Sequence, residues 1–141
     1  MKRKLAVLAL LLITLSSLSL AREKGSQGRT EQSIAGVWKG RFDNSPAIDV
    51  TLKVEGGKLA GTAVFYFVQN TDSGPVVKGT DELPLLEPAF DGTTLSFKVK
   101  RKDGSIFGAK IKFVAENRAV LKPEDESSAP DENDIYLTRE K

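Results

Sequence analysis

The chain has 141 residues, with 21 Lys and Arg against 19 Asp and Glu, no His and no Cys. The absence of His and Cys excludes disulfides, thiolate nucleophiles, imidazole-dependent triads and nearly every transition-metal site. Removal of an export signal at residues 1–21 takes Lys2, Arg3 and Lys4 with it, leaving 120 residues with 18 basic against 19 acidic side chains. That balance gives no electrostatic reason to expect a nucleic-acid partner.

The signal is read from three regions: a basic start at Lys2 to Lys4, an apolar run from Leu5 to Leu15, and a polar-small end from Ser16 to Ala21. Ser19 and Ala21 stand at the −3 and −1 positions of a cut before Arg22. The apolar run is about half the roughly 20 residues a membrane-spanning helix needs. A secreted or periplasmic product is therefore expected, with no transmembrane segment after cleavage. Residues 22–33 (REKGSQGRTEQS) carry no apolar side chain, which predicts a flexible leader before a single β domain at 34–141.

From Ile34 onward the dominant pattern is period-two alternation, interrupted by turn residues, which predicts an antiparallel all-β meander. The first strand is expected at Gly36 to Phe42. A two-residue turn at Gly56-Gly57 pairs Val54 with Leu59, Leu52 with Gly61, Val50 with Ala63 and Ile48 with Phe65 on one face. Glu55 with Lys58 and Thr51 with Thr62 fall on the other. The stretch Ala63 to Val68 (AVFYFV) is apolar on both faces. Phe65 and Phe67 point inward, so Val64, Tyr66 and Val68 need a cover, for which the Leu83 to Leu86 segment is the first candidate.

An irregular strand follows from Val76 to Leu86, and Pro84 and Pro88 mark it as an edge or broken strand. The next hairpin turns near Asp103-Gly104. A two-residue loop there would set core residues opposite solvent-facing ones. A three-residue loop, Lys102 to Gly104 with Gly104 left-handed, instead pairs Leu95 with Ile111, Phe97 with Ala109 and Val99 with Phe107. Short strands at Ala119 to Leu121 and Ile135 to Thr138 complete the count. The expected architecture is an eight-stranded up-and-down meander closed into a small barrel, or alternatively a rolled β-sandwich.

The opening Ile34-Ala35-Gly36-Val37-Trp38 is a G-x-W at the start of a meander, and the last strand ends Leu137-Thr138-Arg139. With Gly57-Lys58-Leu59-Ala60-Gly61-Thr62, similar to the G-x-L-x-G-T of avidins, these residues resemble the calycin group of lipocalin and avidin-type barrels. The resemblance implies that Trp38 sits at the closed end of a barrel with Arg139 packed over it as a structural closure. Biotin is not implied, because avidins stack it among several tryptophans and Trp38 is the only one here. The T-D-Y of lipocalins has only a partial counterpart in Thr80-Asp81-Glu82.

No catalytic set emerges and no cofactor is implied. Asp81 and Glu82 are neighbours on a strand and point to opposite faces, and Asp131 and Asp134 lie in the acidic loop 123–134, with six carboxylates in twelve residues. That loop lacks the ligand rhythm of an EF-hand, so a solvated loop is expected in preference to a calcium site. Lys98, Lys100, Lys110 and Lys112 share one outward face and, with Arg101 and Lys102 at the hairpin end, form a basic stripe suited either to an anionic polymer or lipid surface or to guarding strands against edge pairing.

Two functions follow. In one, the barrel holds a small hydrophobic or amphipathic ligand at a mouth lined by Phe65, Phe67, Phe97, Phe107 and Phe113, with no inward charge to fix a head group. In the other, a filled core supports a structural domain whose outer surface meets a protein or envelope partner.

Overall fold

The computed structural model describes residues 29–124 and 134–141. The expected export signal, its expected cleavage site and most of the acidic loop lie outside them. Nine strands form one antiparallel sheet: β1 (Gly36–Phe42), β2 (Ser45–Glu55), β3 (Lys58–Thr71), β4 (Gly74–Pro84), β5 (Leu86–Phe90), β6 (Thr94–Lys100), β7 (Ile106–Ala115), β8 (Arg118–Pro123) and β9 (Ile135–Arg139). Their order is β4-β3-β2-β1-β9-β8-β7-β6-β5, and the sheet is curled into a half-barrel. The first and last strands pair in its middle, and among the described residues the only other regular element is a 3-10 turn at Gln32–Ile34.

Both hairpin registers follow side-chain parity. β2 and β3 pair from Ile48 with Phe65 to Glu55 with Lys58, and β6 and β7 set Leu95 opposite Ile111, Phe97 opposite Ala109 and Val99 opposite Phe107. Gly56 and Gly57 both take positive φ, 57° and 78°, as a tight two-residue hairpin turn requires. Gly104, at φ 87°, supplies the left-handed residue of the three-residue loop.

The strand count and the closure differ from the expected eight-stranded closed barrel, and the stretch around Pro84 is the reason. One irregular strand becomes two, because the chain leaves strand geometry at Leu85 and resumes with new neighbours. β4 pairs with β3, whereas β5 pairs with β6 from Leu86 opposite Lys98. At the switch the Leu85 N–H donates to the Gly61 carbonyl at 2.9 Å, and the Leu85 side chain turns inward and is buried. Pro84 and Pro88 withhold two ladder donors around this bend, and Glu87 takes a φ of 49°. β4 and β5 are thus the two sheet edges yet successive along the chain. The wall is carried across by the covalent chain where hydrogen bonds are missing.

Inward side chains of all the long strands meet in one core that includes Trp38, Ile48, Leu52, Leu95, Ile111 and Leu137. At one end the core is shut. Trp38 is wholly buried, stands edge-on to Phe113 with ring centres 5.0 Å apart, and Phe113 in turn meets Phe90. The Arg139 guanidinium lies 4.6 Å from the centre of the Trp38 ring, on the strand position directly opposite it. The indole N–H donates to the Ile34 carbonyl at 2.9 Å, four residues earlier.

Ordered chain also begins sooner than the leader's composition suggests. The Arg29 N–H donates to Gly92 O at 2.6 Å, Ile34 is fully buried, and Arg139 Nη2 donates to the Ser33 carbonyl. Polar residues before Ile34 are held by backbone hydrogen bonds, which composition does not register.

Outside the barrel, Leu83 and Leu85 do not cover the apolar outer positions of β3, since both turn toward the core. Val64 and Tyr66 sit half-buried between polar neighbours, Asp49 and Glu82 beside Val64 and Thr80 beside Tyr66. The Tyr66 hydroxyl donates to Asp49 Oδ2 at 2.6 Å. That bond, then partial burial and the nearby carboxylate charge, raises the phenol above its ordinary value of 10. A raised native pKa means that the unfolded chain releases this proton first. The contribution to stability is complete below about pH 10 and is lost as pH rises through the native value. Absorbance titration of the phenolate in a Tyr136→Phe background should give a midpoint above 10 that falls on Asp49→Asn; an unchanged midpoint would show that the bond does not form.

Candidate functional site at the open end of the half-barrel

The strand ends opposite Trp38 leave the wall incomplete. β5 pairs with β6 only as far as Lys98, so Val99 and Lys100 have no paired strand on that side. β4 continues past them as a free edge. Between these edges lies a recess of about 360 Å³, with an apolar floor of Phe65, Phe67 and Leu83 and a charged rim of Asp81, Arg101, Lys102 and Asp103. Exposed apolar residues crowd the same end: Phe67 is 53% exposed, Phe42 at the end of β1 44% and Ile106 at the start of β7 64%.

The rim comes from the tip of the β6–β7 hairpin leaning toward β4. Lys102 Nζ is 2.6 Å from Asp81 Oδ1, an ion pair in which the lysine side chain is 79% exposed and the aspartate 19%. Pairs this open contribute about 0–1 kcal/mol, so the bridge can be exchanged at little cost. The Arg101 guanidinium lies 5.3 Å from the centre of the Phe107 ring. Asp103 is engaged within its own turn, accepting from the Ser105 hydroxyl at 2.6 Å and the Ser105 N–H at 2.8 Å. Those bonds, with the charge of Arg101, hold its carboxyl below the usual carboxylate range.

The five candidate phenylalanines therefore divide. Phe65 and Phe67 line the recess, and Phe107 stands beside it beneath Arg101. Phe97 and Phe113 are buried in the filled core, Phe113 against Trp38 at the shut end. Sequence reasoning placed Arg101 and Lys102 at the hairpin end but missed the rim they form with Asp81. Arg101, Lys102 and Asp81 are about 20 positions apart along the chain and meet across a gap in the wall, which parity along single strands does not report. The available signal was the basic pair just before the Asp103-Gly104 turn, since a hairpin tip projects from a sheet end.

Asp81 and Glu82 point to opposite faces, Asp81 into the mouth and Glu82 beside Val64 on the outside. Asp134 pairs with Lys122 at 2.8 Å, while Asp131 and the rest of the loop from 125 to 133, expected to be solvated, lie outside the described residues. Among the described residues no group of three or more carboxylates is arranged to hold a metal ion, and no helix is long and apolar enough to cross a membrane. Comparison with protein-family models, with curated proteins and with solved structures finds no match to this chain.

Proposed function

We propose that this chain is a small exported binding protein that takes an amphipathic ligand with an anionic head at the open end of its half-barrel. The observation that carries the reading is the recess itself: half-buried Phe65 and Leu83 and the exposed Phe67 line it together with Arg101 and Lys102. A volume of about 360 Å³ is within the range of small-molecule sites, which run from roughly 300 to 1,000 Å³. The apolar part of the ligand covers the phenylalanines, and its head replaces Asp81 on Lys102 or adds to Arg101. The calycin resemblance of Trp38 and Arg139 supports a barrel shut at one end and open at the other.

A second reading, docking of a protein partner, is favoured by one feature. β2 pairs with β3 only as far as Phe65, so the rest of β3 and the start of β4 project as a two-stranded ribbon. Val76 and Val77 on it are 42% and 43% exposed.

The two are separated by titrating the protein with dodecanoate against a bound fluorescent anionic amphiphile. The ligand reading expects competitive displacement, and about tenfold weaker binding on Phe67→Ser, a loss of about 1.4 kcal/mol from the floor. Absence of displacement, or equal binding by Phe67→Ser, would remove the mouth as a ligand site and leave the ribbon.

A further inference from the structure

We propose that the convex outer face of β6 to β9 carries a second site, which binds an acidic sugar unit between Lys110, Lys112 and Tyr136. Two adjacent rungs of the sheet build it. One runs Ser96–Lys110–Lys122, and the other Thr94–Lys112–Val120–Tyr136, each residue directly opposite the next on the neighbouring strand. A recess of about 690 Å³ lies over these rungs.

The recess carries three lysines, Lys110, Lys112 and Lys122, against two carboxylates, Asp91 and Asp134. Lys110 faces Lys122 across a strand pair, and like charges so placed are destabilising. Lys122 is drawn to Asp134 at 2.8 Å, with side chains 15% and 3% exposed. Lys110 and Lys112 are exposed and make no ion pair with any described residue. Strand neighbours are about 4.8 Å apart and alternate residues on one strand about 7 Å, so both ammonium groups can reach a single oxyanion. The Thr94 and Ser96 hydroxyls lie on the rung positions beside them and offer both donors and acceptors.

The rest of the recess is not what a bare anion needs. Tyr136 is 61% exposed and Val114 54%, and Val120 lies between Lys112 and Tyr136. A flat aromatic face with aliphatic neighbours suits the C–H face of a pyranose ring, and the lysines then meet its carboxylate or sulfate. A curved wall with a recess also fits a chain of sugars better than a bilayer surface.

The test is titration of the full chain with tetragalacturonate, maltotetraose and phosphatidylglycerol vesicles at low ionic strength, where exposed charges act fully. Tetragalacturonate should bind about tenfold or more tightly than neutral maltotetraose, and K110A/K112A should lose about tenfold. Tyr136→Ala should weaken binding several-fold at unchanged charge, with Tyr136→Phe close to the parent. K98A/K100A removes the same charge outside the recess and should stay within about twofold. Equal losses in the two lysine pairs, indifference to Tyr136→Ala, or binding to vesicles without binding to the oligosaccharide would each overturn the proposal. Neither outcome bears on the open-end recess, whose residues are untouched.

Discussion

Replacing Trp38 by alanine is expected to cost about 3–5 kcal/mol, a large part of the roughly 5–15 kcal/mol that holds a domain together. The side chain is wholly buried, packs edge-on to Phe113, and donates its N–H to Ile34 O. Its loss therefore removes apolar contact, a ring pair and the bond that holds the 3-10 turn. Arg139→Ala should cost less, since the guanidinium already leaves Nε buried without a partner while its Nη2 holds Ser33 O and its plane covers the indole. The double variant should be less destabilised than the sum of the singles by about 0.5 kcal/mol or more. Urea midpoints at equal slopes measure this directly. Strictly additive midpoints would mean that the first and last strands are not stapled through this pair.

An effect of similar size is expected at Gly61. A Cβ there would run into the backbone carbonyl of Thr51, which cannot turn aside, and would lie 3.2 Å from Leu85 Cδ1. The Gly61 carbonyl also accepts the Leu85 N–H at the point where the chain passes from β4, paired with β3, to β5, paired with β6. Overpacking a tight core typically costs about 1–3 kcal/mol, and a backbone collision is at the upper end or beyond. Gly61→Ala should therefore lower the thermal midpoint clearly, and Gly61→Val should leave little folded protein. By contrast Gly56→Asn should be nearly neutral, because its added Cβ meets no atom within 4 Å and Asn tolerates the turn's positive φ. Equal tolerance at both glycines would contradict the crossing at Leu85.

Legibility in the sequence followed the range of the interactions. Where two strands share a short turn, only one register buries every apolar residue, so the pairings of Val54 with Leu59 and Leu95 with Ile111 could be read directly. The contact between Trp38 and Arg139 was expected from the G-x-W and the final strand, although the partner of the indole N–H was not. The ninth strand was hidden because Pro84 and Pro88 announce a break without saying which neighbours the chain takes after it. Likewise the aromatic floor was visible as a run of inward phenylalanines. What divides Phe65 and Phe67 from Phe97 and Phe113 is position along the barrel axis, and alternation says which face a side chain takes but nothing about depth. The charged rim needed the curvature of the whole sheet.

The claim that the open end is a ligand site is tested most directly by a spin-labelled dodecanoate observed through amide resonances. Bound at the recess, the label should broaden the amides of Phe65, Phe67, Leu83 and Arg101 while those of Trp38 and Phe113, at the shut end, stay sharp, and unlabelled dodecanoate should reverse the effect. Broadening confined to the Val76–Val77 ribbon or spread evenly over the surface, or none at a saturating concentration, would contradict it.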